Sequence, residues 1–338
     1  MRYLPSVLLL IGSAAACGDA AKAPLGATPP PAAWTEYERA HDEWLRALTA
    51  KLATDADVDI AWAGMALGAR LGKSDDHNVD RSPPLPPLPT SGVGQLLYFE
   101  YCETAKDCPD VLARWIAAEP DNLAVLALAH ENHDERLPPV DFTRATRYDD
   151  YSLALQTLGA KIAARYDLTP PPKPHDYRYR GFFVFAGIDR FETQIALTSM
   201  GFTDPLGSLV SDAELDPHLR LKFADLLIGA KGSPFAAGYG AELGVAAAVD
   251  PAQRERYCRV AERVEAISAE LDQLLNNEAF MRAVMIALRT RNNVDAYAAV
   301  AAAIPLPENA RAAPPDEAAI AACVERTGTD ADRSPRID

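Results

Sequence analysis

The sequence predicts an all-α protein, built as an irregular helical-repeat array or a multi-helix bundle with two subdomains. Three observations predict it. In the second half, Asp216-Pro217, Ser233-Pro234 and Asp250-Pro251 each set a capping side chain just before a proline. The cap takes up an orphan amide at a helix start, and the proline supplies a fixed φ where no donor is needed. After Asp250, the residues Val260, Val264, Ile267, Leu271 and Leu274 alternate spacings of four and three, the seam of a packed helix. Nowhere do several segments show the β-branched alternation that a sheet requires.

The chain opens MRYLPSVLLLIGSAAACGDA, with Arg2 before a short apolar run and three alanines before Cys17. The run is far shorter than the roughly 20 residues that span a bilayer, and the pattern is that of a secretory signal. A cysteine directly after the small residues makes residues 1–16 resemble a bacterial lipoprotein signal. The resemblance implies that Cys17 is lipidated and becomes the mature N-terminus, with the protein facing the periplasm from a membrane of the cell envelope. Without Cys17, four of the five cysteines remain, Cys102, Cys108, Cys258 and Cys323. An even remainder in an exported chain fits two disulfides. Of the three pairings, Cys102–Cys108 and Cys258–Cys323 are favoured, because each stays within one half of the chain.

Hydrophobic residues make up 49% of the 338, enough for a sizeable core. The formal charge of −15 argues against nucleic acid as a partner and against broad docking on anionic lipid. Membrane attachment then falls to the lipid.

Residues 17–33 end in TPPPAA and read as a tether. A first subdomain, 34–168, begins with a helix from about Trp34, whose apolar face carries Tyr37, Trp44, Leu45, Leu48 and Leu52. A second helix runs from about Asp57 to Leu71 and stops at Gly72. The stretch SPPLPPLPTSG is a rigid polyproline connector. Helices resume over about 94–102, 109–118, 120–131 and 141–166. A proline-rich linker, 169–176, precedes the second subdomain, 177–327. There YRYRGFFVFAGI reads as helix, its aromatics Tyr177 to Phe185 as core. A last helix over 315–326 carries Cys323, and 328–338 is a disordered tail.

The segment ARWIAAEPDNLAVLALA, with Pro120, Asp121 and Asn122 between Trp115, Ile116, Leu123, Leu126 and Leu128, resembles the junction of a tetratricopeptide-type helix pair. The likeness lies within residues 108–165. It implies binding of a protein or peptide on a helical surface.

The chemistry-bearing cluster is His130-Glu131-Asn132-His133-Asp134-Glu135. Two histidines three apart share a helix face and offer two imidazoles to one metal. Only two residues separate them, so this is not HExxH; Asp149, Asp150 or His175 would have to complete the set. Gly72-Lys73-Ser74 lacks the upstream glycine of a phosphate loop. Asp76, Asn78 and Asp80 lack the glycine and the final acid of a calcium loop. No G-x-S-x-G elbow is present. The sequence thus points to a lipid-anchored envelope protein that works as a non-catalytic interaction or assembly module, with an envelope protein or peptide as partner and no cofactor. The alternative is a metal-dependent hydrolase using His130 and His133.

Overall fold

A computed structural model describes residues 32–72, 84–105, 110–132, 139–172, 174, 203–212, 215–231, 233, 236–274, 283–284, 286–303 and 316–325. Among them the expected all-α architecture is present. The one strand-like pairing is an isolated bridge between Asn122 and Arg147. The signal, Cys17, Cys108, His133, His175, the Tyr177–Phe185 stretch and the tail lie outside the described residues.

The described chain forms two compact units, and they do not divide at the proline-rich linker. The first holds residues up to Trp115 together with the chain from Ala154; the second holds Ile116–Leu153 and the C-terminal helices. Prolines report where the backbone is stiff, whereas the division follows where apolar side chains are buried. Leu123, Leu126, Ala127 and Ala145 bury in one cluster with Leu206, Phe223, Leu227 and Leu243.

In the first unit, α1 (Ala32–Leu52) packs on α2 (Val58–Gly72), and α2 on α3 (Gly92–Ala105). The buried face of α1 is Tyr37, Leu45, Leu48 and Leu52, as its periodicity requires. Gly64 lets α2 approach the end of α1: a Cβ there would lie 2.3 Å from the Ala53 amide nitrogen. Trp62 is fully buried, with its ring 4.5 Å from that of Tyr98.

Every residue from Pro84 to Pro89 is a proline or precedes one, which confines the strap to extended backbone. It is held from below. Trp62 Nε1 donates to the Pro87 carbonyl at 2.9 Å, and Gln95 Nε2 to that of Pro89 at 2.6 Å. Ser91 then caps α3, its Oγ accepting from Gly94 N while donating to Asp59.

Helix α4 (Val111–Ala118) starts after Asp110, which has φ 64°. Helix α5 (Leu123–Glu131) is followed by a 3-10 turn at Phe142–Arg144 and by α6 (Ser152–Ala163). A single helix over 141–166 was expected, and the structure corrects it. Residues 145–150 are not helical, with Arg147 bridged to Asn122, and Tyr151 sits at φ 60°, a left-handed conformation that breaks a helix. The paired acids restart the helix: Asp149 accepts from Tyr151 N at 2.8 Å and Asp150 from Ser152 N at 3.0 Å. The end of α6 returns to the α1–α2 turn. Lys161 pairs with Asp57, Arg165 with Asp55 at 3.1 Å, and the Tyr166 hydroxyl donates to Asp55 at 2.5 Å.

The second unit adds α7 (Thr203–Ser211), α8 (Pro217–Ile228), α9 (Ala236–Ala247), α10 (Pro251–Leu274), α11 (Asn293–Ala303) and α12 (Glu317–Glu325). Here α8 packs on α9 and α9 on α10, while α5 meets α7. The cap logic holds at each expected start. Asp216 accepts from His218 N and Leu219 N, Ser233 Oγ from Ala236 N, and Asp250 from Gln253 N. Gly244 permits the close crossing of α9 and α10, because a Cβ there would lie 2.3 Å from the Tyr257 ring. Cys258 and Cys323 are disulfide-bonded, tying α12 to α10 as expected. Cys102 is disulfide-bonded as well.

Candidate functional site

The turn between α4 and α5 carries the densest polar network in the second unit, and its centre is Asn122. The residue is fully buried. Its Oδ1 caps α5 by accepting from Ala124 N at 3.2 Å, and it also accepts from Asp149 N at 3.0 Å. Its Nδ2 lies 3.0 Å from the Asp149 carbonyl, 3.1 Å from the Tyr151 hydroxyl and 3.2 Å from Glu119 Oε2. Backbone bonds repeat the link: Leu123 N donates to Arg147 O at 2.9 Å, and Thr146 N to Asp121 O at 3.0 Å. A primary amide suits this place because it alone offers two acceptor lone pairs and two donors on a short stem.

Above the buried amide sits a charge cluster. Arg147 pairs with Glu119, with Asp121 at 3.4 Å and with Asp149 at 3.8 Å. Burial works against the Arg147 charge, but the hydrogen bond and field of Glu119, then the field of Asp121, outweigh it and hold the guanidinium more firmly protonated. Three carboxylates share one cation, so the turn is net acidic. These groups satisfy one another, which makes the network a clasp between the α5 start and residues 145–151.

His130, at the last turn of α5, places Nε2 3.6 Å from Asp212 Oδ2 and its ring edge-on to Phe142 at 5.3 Å. The expected metal partners are engaged elsewhere. Asp149 is taken by Arg147 and Tyr151 N, and Asp150 by a separate buried group. Among the described residues, no three His, Cys, Asp or Glu side chains gather as a metal-binding group.

The separate group is Asp150, Ser233 and Tyr148. One Ser233 hydroxyl, 2% exposed, hydrogen-bonds both the Asp150 and Tyr148 side chains and also accepts from Ala236 N. An ionised carboxylate can only accept, so while Asp150 is ionised its bond to Ser233 is donated by the serine hydroxyl. At that burial Ser233 is out of reach of a substrate as a nucleophile. Burial, first of all, pushes the Asp150 carboxyl above its ordinary range, and the bonds from Ser233 and Ser152 only partly offset it.

A pH dependence follows. The folded pKa of Asp150 lies above the unfolded value, so its contribution to stability is full below the unfolded pKa and is lost as pH rises through the folded one. Asp150→Asn removes that titration. The stability of the variant relative to the parent should therefore be highest at about pH 8 and shrink toward pH 4. Urea unfolding across that range, followed by circular dichroism, reads the difference. A pH-independent difference would show that Asp150 does not titrate against burial.

Comparison with protein-family models, with curated proteins and with solved structures found no match for this chain.

The sequence singled out His130 and the Asp121-Asn122 turn. It did not point to Asp212, Ser233 or Tyr148, which reach the site from other elements. A partial signal existed for Ser233, since the Ser-Pro start of α9 marks it as a cap, but nothing local marks its second role.

Proposed function

We propose that this is a lipid-anchored protein of the bacterial cell envelope, attached through Cys17 and working as a non-catalytic protein-interaction or assembly module. The anchor reading rests on the Ala14-Ala15-Ala16-Cys17 run and on the even number of cysteines left without it. The module reading is carried by one observation: helices pack on their neighbours in the chain, α1 on α2 on α3, and α8 on α9 on α10. That is the packing logic of helical arrays, whose exposed faces form extended binding surfaces. The polar clusters also favour it, because Asn122 and Arg147, and Asp150 through Ser233, spend hydrogen bonds on joining elements.

Labelling and crosslinking test the reading together. Cells fed radioactive palmitate should label the parent protein and not Cys17→Ala. A photocrosslinker at exposed positions of α8 and α10 should trap a defined envelope protein in intact cells. Unlabelled Cys17 with detergent-independent solubility would remove the anchor. Stoichiometric zinc in the purified protein, lost in His130→Ala/His133→Ala, would replace the module by the metal-dependent hydrolase.

A further inference from the structure

The proline strap before α3 has a surface that the body of the first unit does not use. Prolines and residues before proline hold 84–89 near polyproline II, which takes three residues per turn. Burial along the strap repeats with that period. Pro86 is half-buried and Pro89 buried, while Pro84, Leu85, Pro87 and Leu88 are exposed. The strap is thus a three-edged rod lying on the body by one edge. Trp62 of α2 and Gln95 of α3 fix it there through the Pro87 and Pro89 carbonyls.

The two free edges are regular and apolar. Leu85 and Leu88 stand one turn apart on the first, Pro84 and Pro87 on the second. The leucines are 58% and 55% exposed, two of the four large hydrophobic side chains so placed among the described residues. The other two, Val249 and Ile286, have no such neighbour in the sequence, and single exposed apolar residues are ordinary. No side chain from 84 to 90 carries a charge, on a protein with 48 acidic and 33 basic residues. The strap is therefore a stiff, uncharged stretch with both open edges turned to solvent.

We propose that the strap is a ligand carried on a folded body, and that its partner is a protein domain with an aromatic-lined, uncharged groove for two turns of polyproline II. The inference rests on the interaction reading and adds a surface in the first unit. Aromatic grooves take proline-rich segments because the rod is preformed and loses little entropy on docking. Here the bonds from Trp62 and Gln95 hold it in place beforehand. A groove takes a rod from one side and covers two of its edges, which are the two left open. Size excludes a second copy of this chain as the occupant. Six residues span about 19 Å and are one rod wide, far short of the roughly 800 Å² that each copy buries in a stable dimer.

The test places the photocrosslinker p-benzoylphenylalanine at Thr90, exposed at the end of the strap, in the full chain in intact cells. Mass spectrometry of the joined peptides should show one protein, trapped through a segment that carries tryptophan or tyrosine. In isolated envelopes a synthetic peptide of residues 84–90 should compete, and the same peptide with Leu85→Asp/Leu88→Asp should not. That double substitution in the chain itself should lower the crosslink yield about tenfold, through loss of two buried leucines. Its helical circular dichroism should stay unchanged, since both positions are exposed. Crosslinks from α8 or α10 with none from Thr90 would overturn the strap as ligand and leave the interaction module standing. Absence of crosslinks from all three would remove both. Trapping of a second copy, of lipid or of a segment without aromatic residues, or an unaltered yield in the leucine variant, would also overturn the proposal.

Discussion

Asn122→Ala should destabilise the protein by about 3–4 kcal/mol, because the lost side chain served buried groups on both sides of the turn. With alanine in place, the amides of Ala124 and Asp149 lose their acceptor, and the Asp149 carbonyl and Tyr151 hydroxyl lose a donor. Each buried polar group left unpaired costs about 1–3 kcal/mol, and water entering the vacated space recovers part of that. For a chain of this size the effect corresponds to a drop in melting temperature of about 5 °C.

Two companion variants separate the contributions. Serine keeps an acceptor for Ala124 N but is too short to bridge to residues 149–151, so Asn122→Ser should recover only about 1 kcal/mol, the worth of a cap. Aspartate keeps both acceptors and removes both donors. It also adds a buried charge beside Glu119, Asp121 and Asp149, so Asn122→Asp should be as damaging as alanine at neutral pH and milder in acid. Guanidinium unfolding of the four proteins reads the series. If alanine costs less than about 1 kcal/mol, Asn122 is not the clasp described.

Most helices were legible because their causes are local. Asp216, Ser233 and Asp250 sit next to the amides they cap, and the face of α1 repeats within a few turns. What the sequence hid depends on partners far along the chain. The break before α6 was missed because Asp149-Asp150-Tyr151 reads as an ordinary polar stretch in a helical run. Only the pairing of residues 146–149 with Asp121 and Asn122 makes extended backbone the better state there. The two units were hidden for the same reason, since nothing in Leu123-Ala124-Val125-Leu126 announces that Phe223 and Leu227 will cover it. Of the candidate site, the histidine and the turn were visible. Asp212 beside His130, and the Ser233 bridge between Asp150 and Tyr148, were not.

Removing the Cys258–Cys323 bond, by Cys258→Ala/Cys323→Ala or by reduction, should cost about 4 kcal/mol and should act first on α12. The bond closes a separation of 65 residues, so the unlinked chain gains considerable freedom when unfolded. Other forces hold α12 weakly. Its nine residues are too few for a stable isolated helix. Its apolar contact is a small satellite cluster, Cys258, Ile320 and Cys323 against Val245 and Val324. The Arg259–Glu317 pair at 2.9 Å is exposed and is worth about 0–1 kcal/mol. Its polar ties among the described residues include the bond from Asp316 N to Glu262 at 3.2 Å and a long one from Arg254 to the Val324 carbonyl at 3.4 Å. None of these replaces a covalent link. In the double variant, amide exchange over residues 317–325 should therefore rise to nearly the unprotected rate. The α8–α9 pair touches that satellite cluster through Val245, but its own buried cluster is built around Phe223, Leu227 and Leu243, so it should keep most of its protection. Reduced parent protein, in which the Cys102 bond is open as well, should lose the protection of α12 in the same way. Unchanged protection of α12 in both would mean that packing alone seats the helix, and the stability assigned to the disulfide would have to come from elsewhere.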